Sequence, residues 1–308
     1  SATDNCDTQV TINYSEQKAN GSCVDDYDLI RTWTATDNCN NSSQCTQTVT
    51  VRDTKAPVFA NCPTNITVEC NAVPTAASPT ATDNCDINVT ITETKTEIPG
   101  NCPDSKIVTR IFTATDDCGN TSTATQKVTV RDTKAPVIVG CPANITVECD
   151  AIPSPVTPTA TDNCDTQVSI TLNEVKTPGN CPDSYTLTRT WTATDNCSNT
   201  SRCTQVITVK DTKAPVLAGC PANVTVECDA IPAKANPTAT DNCDADVTIT
   251  YNEVKTPGNC PDSYTLTRVW TATDNCNNTS SCSQVITVKD TKAPVLAGCP
   301  ANVTVECD

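Results

Sequence analysis

The side chains with chemistry to offer in this chain are cysteine and aspartate. It has 23 cysteines, no histidine and no methionine. Cys62, Cys141, Cys220 and Cys299 stand at one constant interval (141 − 62 = 220 − 141 = 299 − 220 = 79). That interval also carries Cys6 to Cys85, Cys164 and Cys243, and Cys39 to Cys118, Cys197 and Cys276. Cysteines that recur with the scaffold read as disulfides, and a regular framework of them persists where thiols are oxidised, outside the cytosol. A zinc site is a poor alternative, because no C-x-x-C spacing occurs and histidine is absent. There is no Gly-rich phosphate loop and no G-x-S-x-G elbow, so the chain does not read as an enzyme.

The aspartates follow the same period. ATDNCD supplies Asp162 and Asp165, WTATDNC supplies Asp195, and the linker VRDTKAP supplies Asp132. If the linker of one unit delivers its aspartate to the loops that open the next, four hard oxygen donors converge at each junction, which suits calcium. The expected sets are Asp53, Asp83, Asp86 and Asp116; Asp132, Asp162, Asp165 and Asp195; and Asp211, Asp241, Asp244 and Asp274. Calcium is the one cofactor the pattern suggests. The competing reading is that these residues form turns by bonding their own backbone. Sequons such as Asn144-Ile-Thr and Asn223-Val-Thr also recur, but a Thr- and Asn-rich strand sequence produces them by chance.

The elements that must position these residues are strands. In CPANITVEC, Cys141, Ala143, Ile145, Val147 and Cys149 alternate with the other residues, which describes a half-buried strand with both cysteines inward. QVSITLNEV alternates through Val168, Ile170 and Leu172, and SYTLTRTWTATD sets Tyr185, Leu187, Trp191 and Ala193 on one face. Arg189 falls on that same face, as do Arg31, Arg110 and Arg268 in the other units; stacking on the aromatic ring would account for it. Turns lie between the strands (AIPSPVTP, KTPGNCPD, NCSNTSRC), QVITVKD closes the unit, and no stretch has helical spacing. The expected fold is all-β: a tandem array of disulfide-stapled immunoglobulin-like β-sandwich domains forming an extended rod. A unit this short, in a chain with 3% aromatic residues, needs covalent staples to offset its small core.

The period divides the chain into a partial unit lacking its first strand (1–54), three full units (55–133, 134–212 and 213–291) and the first strand of a further unit (292–308). CPANVTVECD at Cys299 to Asp308 repeats Cys220 to Asp229 verbatim. The chain therefore reads as a window on a longer array. Donation of this last strand to the incomplete unit of another copy is the alternative.

Strand direction constrains the disulfides. With the entry end of each unit called the bottom, Cys149 and Cys181 lie at the top, and Cys141, Cys164, Cys197 and Cys203 at the bottom. Within one unit this forces Cys149–Cys181, and with it Cys70–Cys102 and Cys228–Cys260. A strand of about eleven residues separates Cys181 from Cys197 by roughly 30 Å, which excludes that bridge. The bottom four allow three pairings. Cys141–Cys203 with Cys164–Cys197 is favoured, because the latter two end matching TATDNC segments, and a local Cys197–Cys203 bridge is the runner-up. The favoured set repeats as Cys220–Cys282, Cys243–Cys276, Cys85–Cys118 and Cys6–Cys39. Ala124 stands where Cys203 and Cys282 stand in the later units, leaving Cys62 unpartnered on the favoured pairing and Cys118 on the alternative. Cys23, Cys45, Cys299 and Cys307 are expected to lack partners within the chain.

Units reading CPANITVEC, PTATDNCD and WTATDNCSNTSRCTQVITVKDTKAPV resemble HYR-type immunoglobulin-like repeats. They look most like those of the giant SprB-like surface adhesins of gliding Bacteroidetes, exported by the type IX system. The resemblance implies a cell-surface filament or stalk, and it implies pairing of the opening cysteine with the one beginning the last strand, here Cys141 with Cys203. Cys181, Cys197 and the residue at Ala124 depart from the common pattern.

A net charge of −16 argues against nucleic acid or anionic lipid as partners. No apolar run is long enough to span a membrane, so no membrane insertion is expected in this segment. The function expected is that of a structural stalk or filament segment of a large secreted or cell-surface adhesin, extracellular, supporting surface attachment or gliding motility. Contact with an external surface or glycan would pass through other parts of the parent protein, with lateral self-association of the filament. The alternatives are repeats that bind glycans or surfaces directly, and accessory domains of a secreted enzyme.

Overall fold

The structure, a computed structural model, describes residues 1–306. It is all-β. The first repeat contributes β1 (Thr11–Asn20), β2 (Tyr27–Thr36) and β3 (Ser42–Val51), in one antiparallel sheet of that order. The second contributes β4 (Val58–Ala60), β5 (Ile66–Glu69), β6 (Thr80–Thr82), β7 (Thr90–Pro99), β8 (Lys106–Thr115) and β9 (Thr121–Arg131). The third repeats the series as β10 (Val137–Val139), β11 (Ile145–Glu148), β12 (Thr159–Thr161), β13 (Ser169–Pro178), β14 (Tyr185–Thr194) and β15 (Thr200–Lys210). The fourth does so as β16 (Val216–Ala218), β17 (Val224–Glu227), β18 (Thr238–Thr240), β19 (Thr248–Cys260), β20 (Ser263–Thr273) and β21 (Thr279–Lys289). Each full repeat is a thin sandwich of a four-stranded sheet, ordered β17-β21-β20-β19 in the fourth, against a two-stranded one, β16-β18. No helix of the described residues is long and apolar enough to cross a membrane.

The opening strand differs from its sequence reading. CPANITVEC is not a strand throughout: only Ile145–Glu148 of it is, paired parallel to the last strand with Ile145 opposite Ile207 and Glu148 opposite Lys210, while Val137–Val139, just before the segment, pairs in the small sheet. Between them Gly140 turns the chain with φ of +80°, and Pro142 lacks the N–H a ladder would use. The chain thereby crosses from one sheet to the other, and the inter-sheet core forms behind it.

That core is small and periodic. Alternate residues of the central strand and the last strand point inward: Val108, Phe112, Ala114, Val128 and Val130 in the second repeat are each at most 2% exposed. Leu266, Trp270, Ala272, Ile286 and Val288 fill the same places in the fourth. Ile66 and Val68 complete the second core, and Val224, Val226 and Ile231 the fourth. The strands β7, β13 and β19 form outer edges and are largely exposed.

The chain forms two compact bodies that do not follow the 79-residue period (243 − 164 = 79). One holds Ser1–Val137 with two loop segments of the third repeat, Ala160–Ser169 and Ala193–Ser201. The other holds Ile138–Thr159, Ile170–Thr192 and the chain from Arg202 onward. The entry loops of the third repeat therefore belong to the same body as the second repeat.

Candidate metal centre at the repeat junctions

The TDNC loops fold because their aspartates replace missing backbone acceptors. Asp162 Oδ1 accepts the N–H groups of Cys164 and Asp165 at 2.8 and 3.1 Å. Asp195 Oδ1 accepts those of Cys197 and Asn199 at 2.9 and 2.8 Å, and its Oδ2 accepts the Asn199 amide at 2.8 Å. Asp165 spans the two loops, taking Gln167 N with one oxygen and Asn196 N with the other, at 2.8 and 3.0 Å. Asn199 also donates to the Asp132 carbonyl at 3.4 Å, which fastens the exit of the second repeat to the entry loops of the third.

Of the four aspartates expected at this junction, three meet. Carboxylate oxygens of Asp132, Asp162 and Asp195 lie within 4.8 Å of one another. Asp132 and Asp195 are 6% exposed, and Asp132 Oδ2 is buried with no hydrogen-bond partner. Burial, then the charges of Asp162 and Asp195, push the Asp132 carboxyl above its ordinary range. Asp165 does not join them; both its oxygens are engaged by backbone N–H groups. The next junction repeats this. Asp211 is 6% exposed with both carboxylate oxygens unpartnered, Asp241 Oδ2 is likewise buried and unpartnered, and Asp244 is drawn into its loop. Burial together with Asp241 and Asp274 pushes the Asp211 carboxyl up to about 6.

The first junction is different. Asp53 has an unpartnered Oδ2 and groups with Asp83 and the Cys85 thiol, whose pKa burial raises. Asp116 holds Asn120, and Asp86 is spent on Asn88 N and Asp117 N.

The disulfides overturn most of the pairing expected within units. Cys149 is bonded to Cys243 and Cys181 to Cys276; one repeat earlier, Cys70 is bonded to Cys164 and Cys102 to Cys197. Cys23, expected to be unpartnered, is bonded to Cys118. The within-unit pairs Cys149–Cys181, Cys70–Cys102, Cys164–Cys197, Cys243–Cys276, Cys85–Cys118, Cys228–Cys260 and Cys6–Cys39 do not form. The physical reason is distance. Exit-end cysteines of one repeat reach entry-end cysteines of the next at Cα separations of 5.0–5.8 Å, inside the range a disulfide spans.

Cys141–Cys203 and Cys220–Cys282 do form within repeats, as expected. Cys62, in the repeat that has Ala124 where the later ones have Cys203 and Cys282, is free, and so are Cys45 and Cys299. Cys6, Cys39, Cys85, Cys228 and Cys260 are free as well. From Cys228 and Cys260 the observed separations point past residue 308 (228 + 94 = 322; 260 + 95 = 355), and from the other three they point before residue 1. Cys307 lies outside the described residues.

Several junction residues escaped sequence reasoning. Glu148 accepts the Thr212 hydroxyl at 2.6 Å and its N–H at 3.2 Å, as Glu69 does for Thr133. Asn196 donates to Asp104 at 2.6 Å beside the Cys102–Cys197 bond. The buried arginines are also explained. Arg268 Nε donates to Glu253 on the neighbouring strand at 2.7 Å, and its terminal nitrogen reaches the Pro232 and Ala233 carbonyls at 2.9 and 3.2 Å. Aromatic stacking is not needed; the arginine pins the proline-rich loop. The sequon asparagines have a structural task, since Asn144 and Asn223 accept Val206 N and Val285 N at 2.7 Å.

These features define disulfide-rich, all-β tandem repeats of a kind characteristic of extracellular proteins. Residues 137–209 and 217–288, the third and fourth repeats, each match the family described as HYR-like domain with 4 cysteines. No curated protein matches the chain. Among solved structures, the protocadherin GammaB4 extracellular domain is similar at 15% identity and a TM-score of 0.39, covering 94% of this chain. The chain spans 63% of that protein's length, just under two thirds. Protocadherin Gamma B7 extracellular cadherin domains 1–4 is similar at 14% identity and a TM-score of 0.37, over 91% of this chain and 92% of that one. Drosophila N-cadherin EC1–4 is similar at 12% identity and a TM-score of 0.27, over 94% of each chain. Likeness at these scores carries no functional argument.

Proposed function

We propose that this chain is a tension-bearing structural segment of an extracellular, cell-surface adhesin, with no catalytic part in its work. The observation that carries this reading is the staircase of bridges from repeat to repeat. Cys23 is bonded to Cys118, Cys102 to Cys197 and Cys181 to Cys276. A covalent path therefore runs from Cys23 to Cys276 through three disulfides and only two stretches of 16 residues (118 − 102; 197 − 181). Those stretches contain the central strands β8 and β14, which are already extended. A second path links Cys70 to Cys243 through Cys164 and Cys149.

Between Cys23 and Cys276 the unfolded chain could reach about 900 Å, whereas the bridged path permits about 130 Å. Load is thus carried by strands and disulfides, and unfolding a repeat releases little length. A segment so limited suits the stalk that holds an adhesive part of the parent protein away from the cell. Resemblance to the SprB-like adhesins supports surface attachment or gliding as the use, with external surfaces or glycans as partners of other parts of that protein. Trp191 and Trp270, each 1% exposed, offer no stacking platform for direct glycan binding by their repeats.

Single-molecule stretching with handles at residues 23 and 276 tests the reading. The oxidised chain should yield less than about 150 Å between them, and reductant should release several hundred ångströms more. Long extension of the oxidised chain would defeat it.

A further inference from the structure

We propose that the second and third junctions each bind one calcium ion, held between Asp132, Asp162 and Asp195 and between Asp211, Asp241 and Asp274. This goes beyond the load-bearing reading and does not depend on it. Three carboxylates meet at the second junction, at the third the charges of Asp241 and Asp274 act on Asp211, and among the described residues no lysine or arginine forms an ion pair with any of the six. A negative cluster without a counter-charge is costly when buried, and more so when its oxygens make no hydrogen bonds.

The independent sign is the orphaned oxygens. Asp132 Oδ2, both carboxylate oxygens of Asp211, and Asp241 Oδ2 are buried and unpartnered, on linker side chains that are 6% exposed in the case of Asp132 and Asp211. Asp165 and Asp244 take two N–H groups each from neighbouring backbone, one on each oxygen, whereas each linker aspartate keeps at least one buried oxygen with no partner.

The donor set selects the ion. Cys164 and Cys243 lie close to the linker aspartates, beside Glu69 and Glu148, but both sulfurs are in disulfides and present no thiolate. Only oxygen remains, which disfavours zinc and suits a hard cation. Three carboxylates on loops from separate segments, supplemented by water, match the irregular oxygen shell of calcium better than the strict octahedron of magnesium. The bound ion would join the end of β9 to the two entry loops of the third repeat, and the end of β15 to those of the fourth.

The test uses the whole oxidised chain, stripped with chelator, dialysed and titrated with calcium chloride while bound calcium is counted by equilibrium dialysis. Asp132→Asn and Asp211→Asn should each remove one equivalent, and Asp150→Asn, an exposed residue paired with Lys213, should remove none. Asp162→Asn and Asp241→Asn serve as the second pair of variants if the first pair fails to fold by circular dichroism. Parallel titrations with magnesium and zinc chlorides complete the comparison. Absence of calcium uptake, uptake unchanged in the variants, or tighter binding of magnesium or zinc at the same aspartates would each overturn the proposal.

Discussion

Cys149 is bonded to Cys243, 94 residues along the chain in the following repeat, rather than to Cys181 at the same end of its own repeat. In the fourth repeat, Glu227 pairs with Lys289 at the exit end and Thr248 with Thr273 at the entry end. Cys228 follows the former pairing, and Cys243 and Cys276 flank the latter. The exit of one repeat and the entry of the next thus hold cysteines in matched pairs; the second and third junctions each close on two bonds, and the first on Cys23–Cys118 alone. Every such bond encloses a loop of 94 or 95 residues. Loops of that size restrict the unfolded chain by about 4–5 kcal/mol each in the chain-entropy treatment.

Non-reducing peptide mapping should recover the Cys149 peptide joined to that of Cys243, and Cys181 joined to Cys276. A peptide joining Cys149 to Cys181 would return the bonds to the interior of each repeat and remove the basis of the load path.

The second repeat lacks one staple. Cys62 is free, and Ala124 faces Phe112 at the place where Cys282 faces Trp270 in the fourth repeat. Ala124→Cys should oxidise with Cys62, matching Cys141–Cys203 and Cys220–Cys282, whose Cα atoms are 6.1 and 6.3 Å apart. Stabilisation of up to about 4 kcal/mol is expected for a loop of that length. Proteolysis under oxidising conditions should find the wild-type second repeat cleaved sooner than the variant's.

Arg268 is 6% exposed and serves Glu253 and two loop carbonyls together. Arg268→Ala should cost about 1.5–3 kcal/mol, since it removes the hydrogen bonds of a charged group to Glu253 and the loop. Lysine should rescue little, because a single ammonium cannot reach the carboxylate and the loop at once. Urea denaturation of the three proteins gives the comparison, and equal midpoints for lysine and arginine would contradict this account.

Gly179 donates to the Ser184 carbonyl at 2.9 Å across the turn that carries Cys181, and a Cβ added there would lie 2.5 Å from that oxygen. Gly179→Ala should therefore open the turn, at about 1–3 kcal/mol, and displace Cys181 from Cys276. Thiol titration should show two additional free thiols in a fraction of molecules, whereas an unchanged count with unchanged stability would show that the turn yields elsewhere.

Much of this was legible in the sequence because it is written in periodicity. The interval of 79 residues (220 − 141) repeats the units, and alternation in SYTLTRTWTATD places Trp191 and Ala193 in the core, where they are 1% and 0% exposed. Strand direction correctly assigned each cysteine to one end of its unit, and the resemblance correctly implied Cys141–Cys203. Strand boundaries were less secure: CPANITVEC alternates throughout, yet only Ile145–Glu148 of it is strand, because Gly140 turns the chain just before it and Pro142 lacks the N–H a ladder would use.

What the sequence determined by itself is the repeat, the strand order along the chain and the end at which each cysteine and aspartate must appear. Only the tertiary structure decided the partners. A period is blind to whether an exit-end cysteine meets its own unit or the next, since both pairings recur every unit. Distance settles it, because a disulfide tolerates Cα separations only up to about 7 Å. The aspartates follow the same logic. Asp162 and Asp165 are three positions apart and chemically equal, but backbone N–H groups fill both oxygens of Asp165, whereas Asp162 comes within 4.8 Å of Asp132, a residue delivered by the repeat before it.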